Sequence, residues 1–181
     1  MGVWYSSWKR FPERRMIFGR RERMFSIREI LALAVKLEKN GERFYREAES
    51  RFKEPSLLSL LRWLADEELR HMDWFEHKRS EMKPAGEERD LEKIGDELLR
   101  DILGDQTFSL QEVDLSTIRD QVSLVDVAVE FESDTVLFYE MLLTLVDDKQ
   151  TTDKLSEIIA EENNHIRSLR TFRTDSSGRS S

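Results

Sequence analysis

Cysteine is absent from the 181 residues. That removes disulfide scaffolds, zinc ribbons, iron–sulfur clusters and thiol catalysis together. Proline and glycine are scarce, at 3 and 7, too few for the turn-rich connections of an all-β fold. No run approaches the ~20 consecutive apolar residues of a membrane span; Met141-Leu142-Leu143 is typical of the short, interrupted runs that occur. The opening residues also lack the apolar core of about 7–15 residues that marks a secretory signal. What remains is long enough to bury one sizeable core. It is 36% charged and 39% hydrophobic, a mixture that favours amphipathic helices.

The net charge of −8 is unevenly spread. Residues 1–26 hold seven Lys/Arg against Glu13 and Glu22, a net +5, so the remainder carries −13. An acidic body argues against a nucleic-acid partner. Residues 1–25 read as a flexible, basic and aromatic extension (Trp4, Tyr5, Trp8, Phe11, Phe18), whose contact with an anionic membrane surface has no support beyond its charge.

Helical periodicity begins at Ser26. It predicts helices over about 26–52, 55–82, 122–148 and 152–172, and a shorter amphipathic one over about 87–103. Pro55 suits a first helical turn, where its missing N–H costs nothing. Pro84 and Gly86 break the chain, and Gly104 stops the short helix. Residues 105–121 read as irregular. Ser123 with Asp126 reads as a capping pair for the third long helix. The tail, 174–181, is polar and reads as disordered. Helices joined tightly in two pairs, with roughly 40 residues between the pairs, make two hairpins linked by a long crossover, a known bundle topology.

A shift of 94 residues lays the second hairpin over the first. Phe44-Tyr45 falls on Phe138-Tyr139, Glu38 on Glu132, Glu68 on Glu162 and His71 on His165. Heptad spacing puts these residues on apolar stripes. They read Leu31, Ala34, Glu38, Gly41, Tyr45 on the first helix and Leu61, Leu64, Glu68, His71, Phe75 on the second. The third and fourth give Val125, Ala128, Glu132, Thr135, Tyr139 and Leu155, Ile158, Glu162, His165, Leu169. Such stripes face partner helices, so four carboxylates and two imidazoles converge in one buried layer. One Glu-x-x-His on a helix is ordinarily a solvated pair; two in register on apolar faces are not. The remaining histidine, His77, lies outside the repeat and reads as a surface residue.

Four buried carboxylates repel one another, and each unpaired buried charge costs several kcal/mol. Without cations they would have to hold protons at strongly raised pKa values. Two divalent ions neutralise the cluster. A Glu from each of two helices with a Glu-x-x-His from each of the other two is the donor set of di-iron and di-manganese bundles. Carboxylate with imidazole suits two iron ions, or manganese. Metal ligands are therefore expected at Glu38, Glu68, His71, Glu132, Glu162 and His165.

At these residues the chain resembles the ferritin-like superfamily and, within it, the rubrerythrin di-iron domain. Leu37-Glu38-Lys39-Asn40-Gly41-Glu42-Arg43-Phe44-Tyr45 and Ala65-Asp66-Glu67-Glu68-Leu69-Arg70-His71 carry the likeness in the first half. Phe131-Glu132 through Phe138-Tyr139 and Ala160-Glu161-Glu162-Asn163-Asn164-His165 carry it in the second. The resemblance implies an all-α, ferritin-like antiparallel four-helix bundle over 26–173, made of two repeated hairpins joined by a long crossover containing a short extra helix. It implies terminal ligation by Glu38 and Glu132, bridging by Glu68 and Glu162, and one His capping each iron. The activity implied is that of a non-haem di-iron oxidoreductase reducing hydrogen peroxide or dioxygen from a diferrous site. Alternatives are a ferroxidase for iron storage or detoxification and a non-catalytic metal-binding bundle. A cytoplasmic homo-oligomer, most simply a dimer, is also expected.

Two departures qualify the likeness. Rubrerythrins usually carry a Cys-ligated electron-feeding domain, so this Cys-free chain requires an external electron donor protein. They also tend to have a further Glu one turn after the third helix's ligand, where Thr135 stands here. Tyr45 and Tyr139 lie seven residues beyond Glu38 and Glu132, on the same faces. They read as hydroxyl donors to the carboxylates, as redox-active groups, or as core tyrosines that need a polar partner. A mid-helix Gly41 costs about 1 kcal/mol relative to Ala; either an oxidant's path to the metals or close helix packing accounts for it. Trp63 and Trp74 read as packing residues.

Overall fold

The computed structural model describes residues 27–82 and 113–178. Four long helices are described: α1 (Ile27–Arg51), α2 (Pro55–Glu81), α3 (Gln121–Leu143) and α4 (Lys149–Gly178). The extension over 1–25 and the expected helix over 87–103 lie outside the described residues. No helix among the described residues is long and apolar enough to cross a membrane.

α1 and α2 are an antiparallel pair joined through residues 52–54. Glu54 caps α2, its carboxylate accepting from the Leu57 N–H, and Pro55 fills the first turn. At the far end the Arg28 guanidinium donates to the carbonyls of Arg79 (2.6 Å) and Met82 (3.1 Å). A cation there satisfies orphan carbonyls and complements the helix dipole while tying the start of α1 to the end of α2. α3 and α4 repeat the arrangement, with Arg173 near the end of α4 paired to Asp126 near the start of α3 at 2.7 Å.

The second hairpin differs from the sequence expectation at its boundaries. α3 begins at Gln121, and its cap is Asp120, which accepts from the Ser123 N–H at 2.8 Å. Ser123 is thus the recipient of the cap rather than the cap itself. α3 stops at Leu143, five residues short of expectation, with Thr144 and Leu145 donating back to Met141 and Leu142 in a tightened last turn. Asp147 and Asp148 explain this. Acidic residues oppose the dipole at a helix end and favour a helix start, and Asp148 accepts from the Thr151 N–H at 2.9 Å, so α4 begins at Lys149. α4 also runs to Gly178, so the expected disordered tail from 174 is helical through that residue. The irregular segment expected over 105–121 is described from 113, with a turn at 115–117.

The core is the set of apolar stripes. Leu31, Leu57, Leu61, Leu64, Leu124, Leu142, Leu155 and Ile158 are fully buried, each contributing about 1.5–3 kcal/mol over exposure. Backbones approach closely within each hairpin and rarely between the two. The space between hairpins is filled by large side chains and by the polar layer, and that layer is the site.

Candidate metal centre

All six expected ligands are buried: Glu38, Glu68, Glu132, Glu162 and His165 completely and His71 to within 2%. α1 supplies Glu38, α2 Glu68 and His71, α3 Glu132, and α4 Glu162 and His165. Each Glu-x-x-His pair shares one helix face because residues three apart are surface neighbours. The structure brings all six together. Glu162 lies between the imidazoles, with Oε1 2.9 Å from His71 Nδ1 and Oε2 2.8 Å from His165 Nδ1. His71 Nδ1 is also 3.8 Å from Glu38, and His165 Nδ1 3.7 Å from Glu132. Donor atoms of Glu38, His71 and Glu162 form one group within 4.8 Å, and those of Glu68, Glu132, Glu162 and His165 form another. Glu162 belongs to both.

The atoms meet at short distances without the alignment of hydrogen bonds. Among the described residues, the buried side-chain nitrogens and oxygens that lack a hydrogen-bond partner are nine, and all belong to these six residues. Buried polar atoms are otherwise almost always paired. With His165 Nε2 set aside on the outer side of its ring, the orphaned atoms belong to residues that gather in two overlapping donor groups, an arrangement that fits two cations.

Protons and charge show the same strain. Burial, then the charges of Glu38 and Glu132, push the Glu68 carboxyl well above its ordinary range. Burial and the Glu162 charge lift Glu132 to about 8, against the opposing pull of His165. Burial acts to lower His71, but Glu162 and Glu38 outweigh it and hold the imidazolium up to about 11; Glu132 and Glu162 likewise hold His165 to about 9. Glu162, between the two imidazoles, goes down to about 2 in spite of its burial, because both rings favour its charged form. Without cations, Glu68, Glu132 and the two imidazoles hold protons more tightly than usual, while Glu162 stays charged between the rings.

The tyrosines sit one layer out and cross between hairpins. The Tyr45 hydroxyl on α1 donates to Glu132 on α3, and the Tyr139 hydroxyl on α3 donates to Glu38 on α1. Sequence placed each on the right face but could not name its partner in the opposite half. Burial, then the neighbouring carboxylate charges, keep both phenols well above 10 and therefore protonated as donors. Phe75 packs on Tyr139 with ring centroids 5.0 Å apart.

At Gly41 the structure decides between the two readings. A Cβ there would lie 2.7 Å from Glu68 Oε2 and 2.9 Å from Phe131 Cε1. The glycine makes room for the carboxylate and a ring, not for an oxidant's path. Thr135 is buried and returns its hydroxyl to the Phe131 carbonyl at 3.1 Å, so it adds no carboxylate. His77 is exposed beside Glu81.

Two neighbours of the site were not singled out from sequence. Glu161 Oε2 lies 2.7 Å from His71 Nε2 and accepts its proton when that nitrogen carries one. Trp63, read as a packing residue, meets the His165 ring edge-on, with centroids 5.0 Å apart. Glu161 carried a signal in the repeat, which matches it with Glu67; Trp63 carried none, since its repeat partner is Glu157.

The family model for rubrerythrin matches residues 29–173. The chain belongs to the rubrerythrin family. Its structure is similar to that of a protein described as ferritin-like and diiron-carboxylate from Thermotoga maritima. The TM-score is 0.61 at 24% identity, over 84% of this chain and 97% of that one. No curated protein matches in sequence. Rubrerythrin membership and the structural likeness agree on an all-α, ferritin-like architecture, with a buried carboxylate and histidine cluster suited to iron.

Proposed function

We propose that this rubrerythrin-family protein is a di-iron oxidoreductase that reduces hydrogen peroxide, taking electrons from an external donor protein. The observation that supports this reading best is the group of nine orphaned buried donor atoms on six residues. Oxygen and imidazole donors without thiolate suit iron, with manganese the competitor. Glu38 with His71 and Glu132 with His165 would hold one ion each. Glu162, facing both imidazoles, would bridge, and Glu68 would complete the pair. Bound as a diferrous pair, the metals supply the two electrons that convert peroxide and two protons to water.

The chain's own contribution is placement. Full burial keeps bulk water from the charged layer, where each electrostatic contact is stronger than in water. Tyr45 and Tyr139 each hold one carboxylate oxygen by a hydroxyl bond and leave the other, Glu132 Oε2 or Glu38 Oε2, free of any hydrogen bond. With no Cys in the 181 residues to ligate a second redox iron, re-reduction draws on a donor outside them.

Stopped-flow oxidation of anaerobically iron-loaded protein tests the reading. Expected are two Fe(II) per chain and oxidation much faster by hydrogen peroxide than by dioxygen. Comparable or faster oxidation by dioxygen, with iron uptake continuing past two ions, would replace this reading with ferroxidase action. A chain that retains no iron would remove the metal centre itself.

A further inference from the structure

The two imidazoles are related by the 94-residue repeat, but their surroundings are not. Both turn Nδ1 inward to the carboxylates. A ligating imidazole is neutral and carries its proton on the outer nitrogen, so each Nε2–H needs an acceptor. His71 has one: Glu161 Oε2 on α4, 2.7 Å from Nε2. Repeat symmetry would assign Glu67 the same duty toward His165. Instead Glu67 pairs with Arg70 on its own helix. The buried Nε2 of His165 has no hydrogen-bond partner among the described residues, and the Trp63 ring stands against that imidazole at 88°.

We propose that Glu161 is a positioning residue that makes the two metal positions unequal. The position framed by Glu38, His71 and Glu162 binds a divalent cation more tightly and fills first. The Glu161 carboxylate fixes the His71 tautomer and ring orientation and raises the basicity of Nδ1, whereas the outer N–H of His165 finds no acceptor among the described residues. Losing such an outer partner typically costs 10–100-fold in metal affinity. This inference rests on the metal-centre reading but not on peroxide as the oxidant. Glu67, His71 and Glu161 also offer three donor atoms within 4.8 Å of one another. That group is not read as a third cation position, because Nε2 bears the proton when Nδ1 ligates and Arg70 already occupies Glu67.

The test is anaerobic titration of the metal-free full chain with Co(II), followed by its visible absorption and by calorimetry. Paramagnetic NMR of exchangeable imidazole N–H signals accompanies it. The native protein should show two resolved steps, with a single slowly exchanging imidazole N–H signal appearing at the first equivalent. In Glu161→Ala the tighter step should weaken 10–100-fold, the other should stay within about threefold, and that N–H should exchange rapidly. Glu161→Gln keeps a neutral acceptor and should fall between native and Ala. It also serves if Ala compromises folding. Glu67→Ala should leave both steps unchanged.

Two equal steps in the native protein, or equal weakening of both in Glu161→Ala, would overturn the proposal. A third binding event lost in both Glu67→Ala and Glu161→Ala would overturn it in favour of an outer cation. Failure to bind Co(II) at all would instead reject the metal centre. Normal two-step binding without peroxide oxidation would reject only the proposed reaction.

Discussion

Removing the Tyr139 hydroxyl tests whether the crossed tyrosines hold the carboxylates. Tyr139→Phe leaves Glu38 Oε1 buried without its donor, and stranding a buried acceptor costs about 1–3 kcal/mol. The loss should appear in urea unfolding of the metal-free protein; an unchanged midpoint would make the hydroxyl bond dispensable. Gly41→Ala should separate two effects. Alanine favours the helix by about 1 kcal/mol, while the added Cβ displaces the Glu68 carboxylate and Phe131. The stabilisation gained on adding metal is therefore expected to shrink in Gly41→Ala, read as a narrower gap between metal-free and metal-loaded melting temperatures. An unaltered gap would mean that Glu68 does not need its present position. The residues that converge were legible from sequence because a buried charge on an apolar stripe stands out against its neighbours. Glu161 and Trp63 were not, because they flank the stripes, where a glutamate or tryptophan looks like ordinary surface or packing.

At the scale of the helix, existence was legible and punctuation was not. Four long amphipathic periods gave four helices, and the first two begin and end within a residue of expectation. In the second hairpin, Asp120, Ser123 and Asp126 all suit a cap, and spacing alone cannot say which carboxylate receives the first free N–H groups. The structure selects Asp120, which accepts both the backbone N–H and the hydroxyl of Ser123. Asp120→Ala should therefore lower the melting temperature by roughly 2–4 °C, the effect of one lost cap in a chain of this size. Asp126→Ala breaks only the exposed pair with Arg173 and should change it by less. Equal losses would restore the capping role to Asp126. Likewise, α3 ends early because Asp147 and Asp148 serve the following helix better than their own, a competition between elements that a single periodicity does not display.

For the whole molecule, the proposed metals would compete with protons for one layer. Without metal, Glu132 keeps its proton to about 8, and His165 and His71 keep theirs to about 9 and 11, against ordinary values of 4.5 and 6.5. A group that holds its proton more tightly when folded contributes stability that is complete below its ordinary value and lost as pH rises through the folded one. The metal-free protein should therefore lose stability between about pH 5 and about pH 11. Glu162 has the opposite sign: its contribution is present above 4.5 and lost only as pH falls through about 2, outside that window. Metal must displace these protons, so with saturating Mn(II) the dependence should flatten or reverse over the same range. Parallel curves for the two forms, measured by urea midpoint, would place the titrating groups elsewhere. The crossed hydroxyls carry one more consequence. Tyr45 serves the ligand of α3 and Tyr139 that of α1, while the two hairpins share little close backbone contact. Either hairpin taken alone thus holds three ligands and a tyrosine with nothing to clasp. The chain is built as a tethered pair of half-sites, so the seam where the two hairpins touch least is also the plane where the six candidate ligands meet.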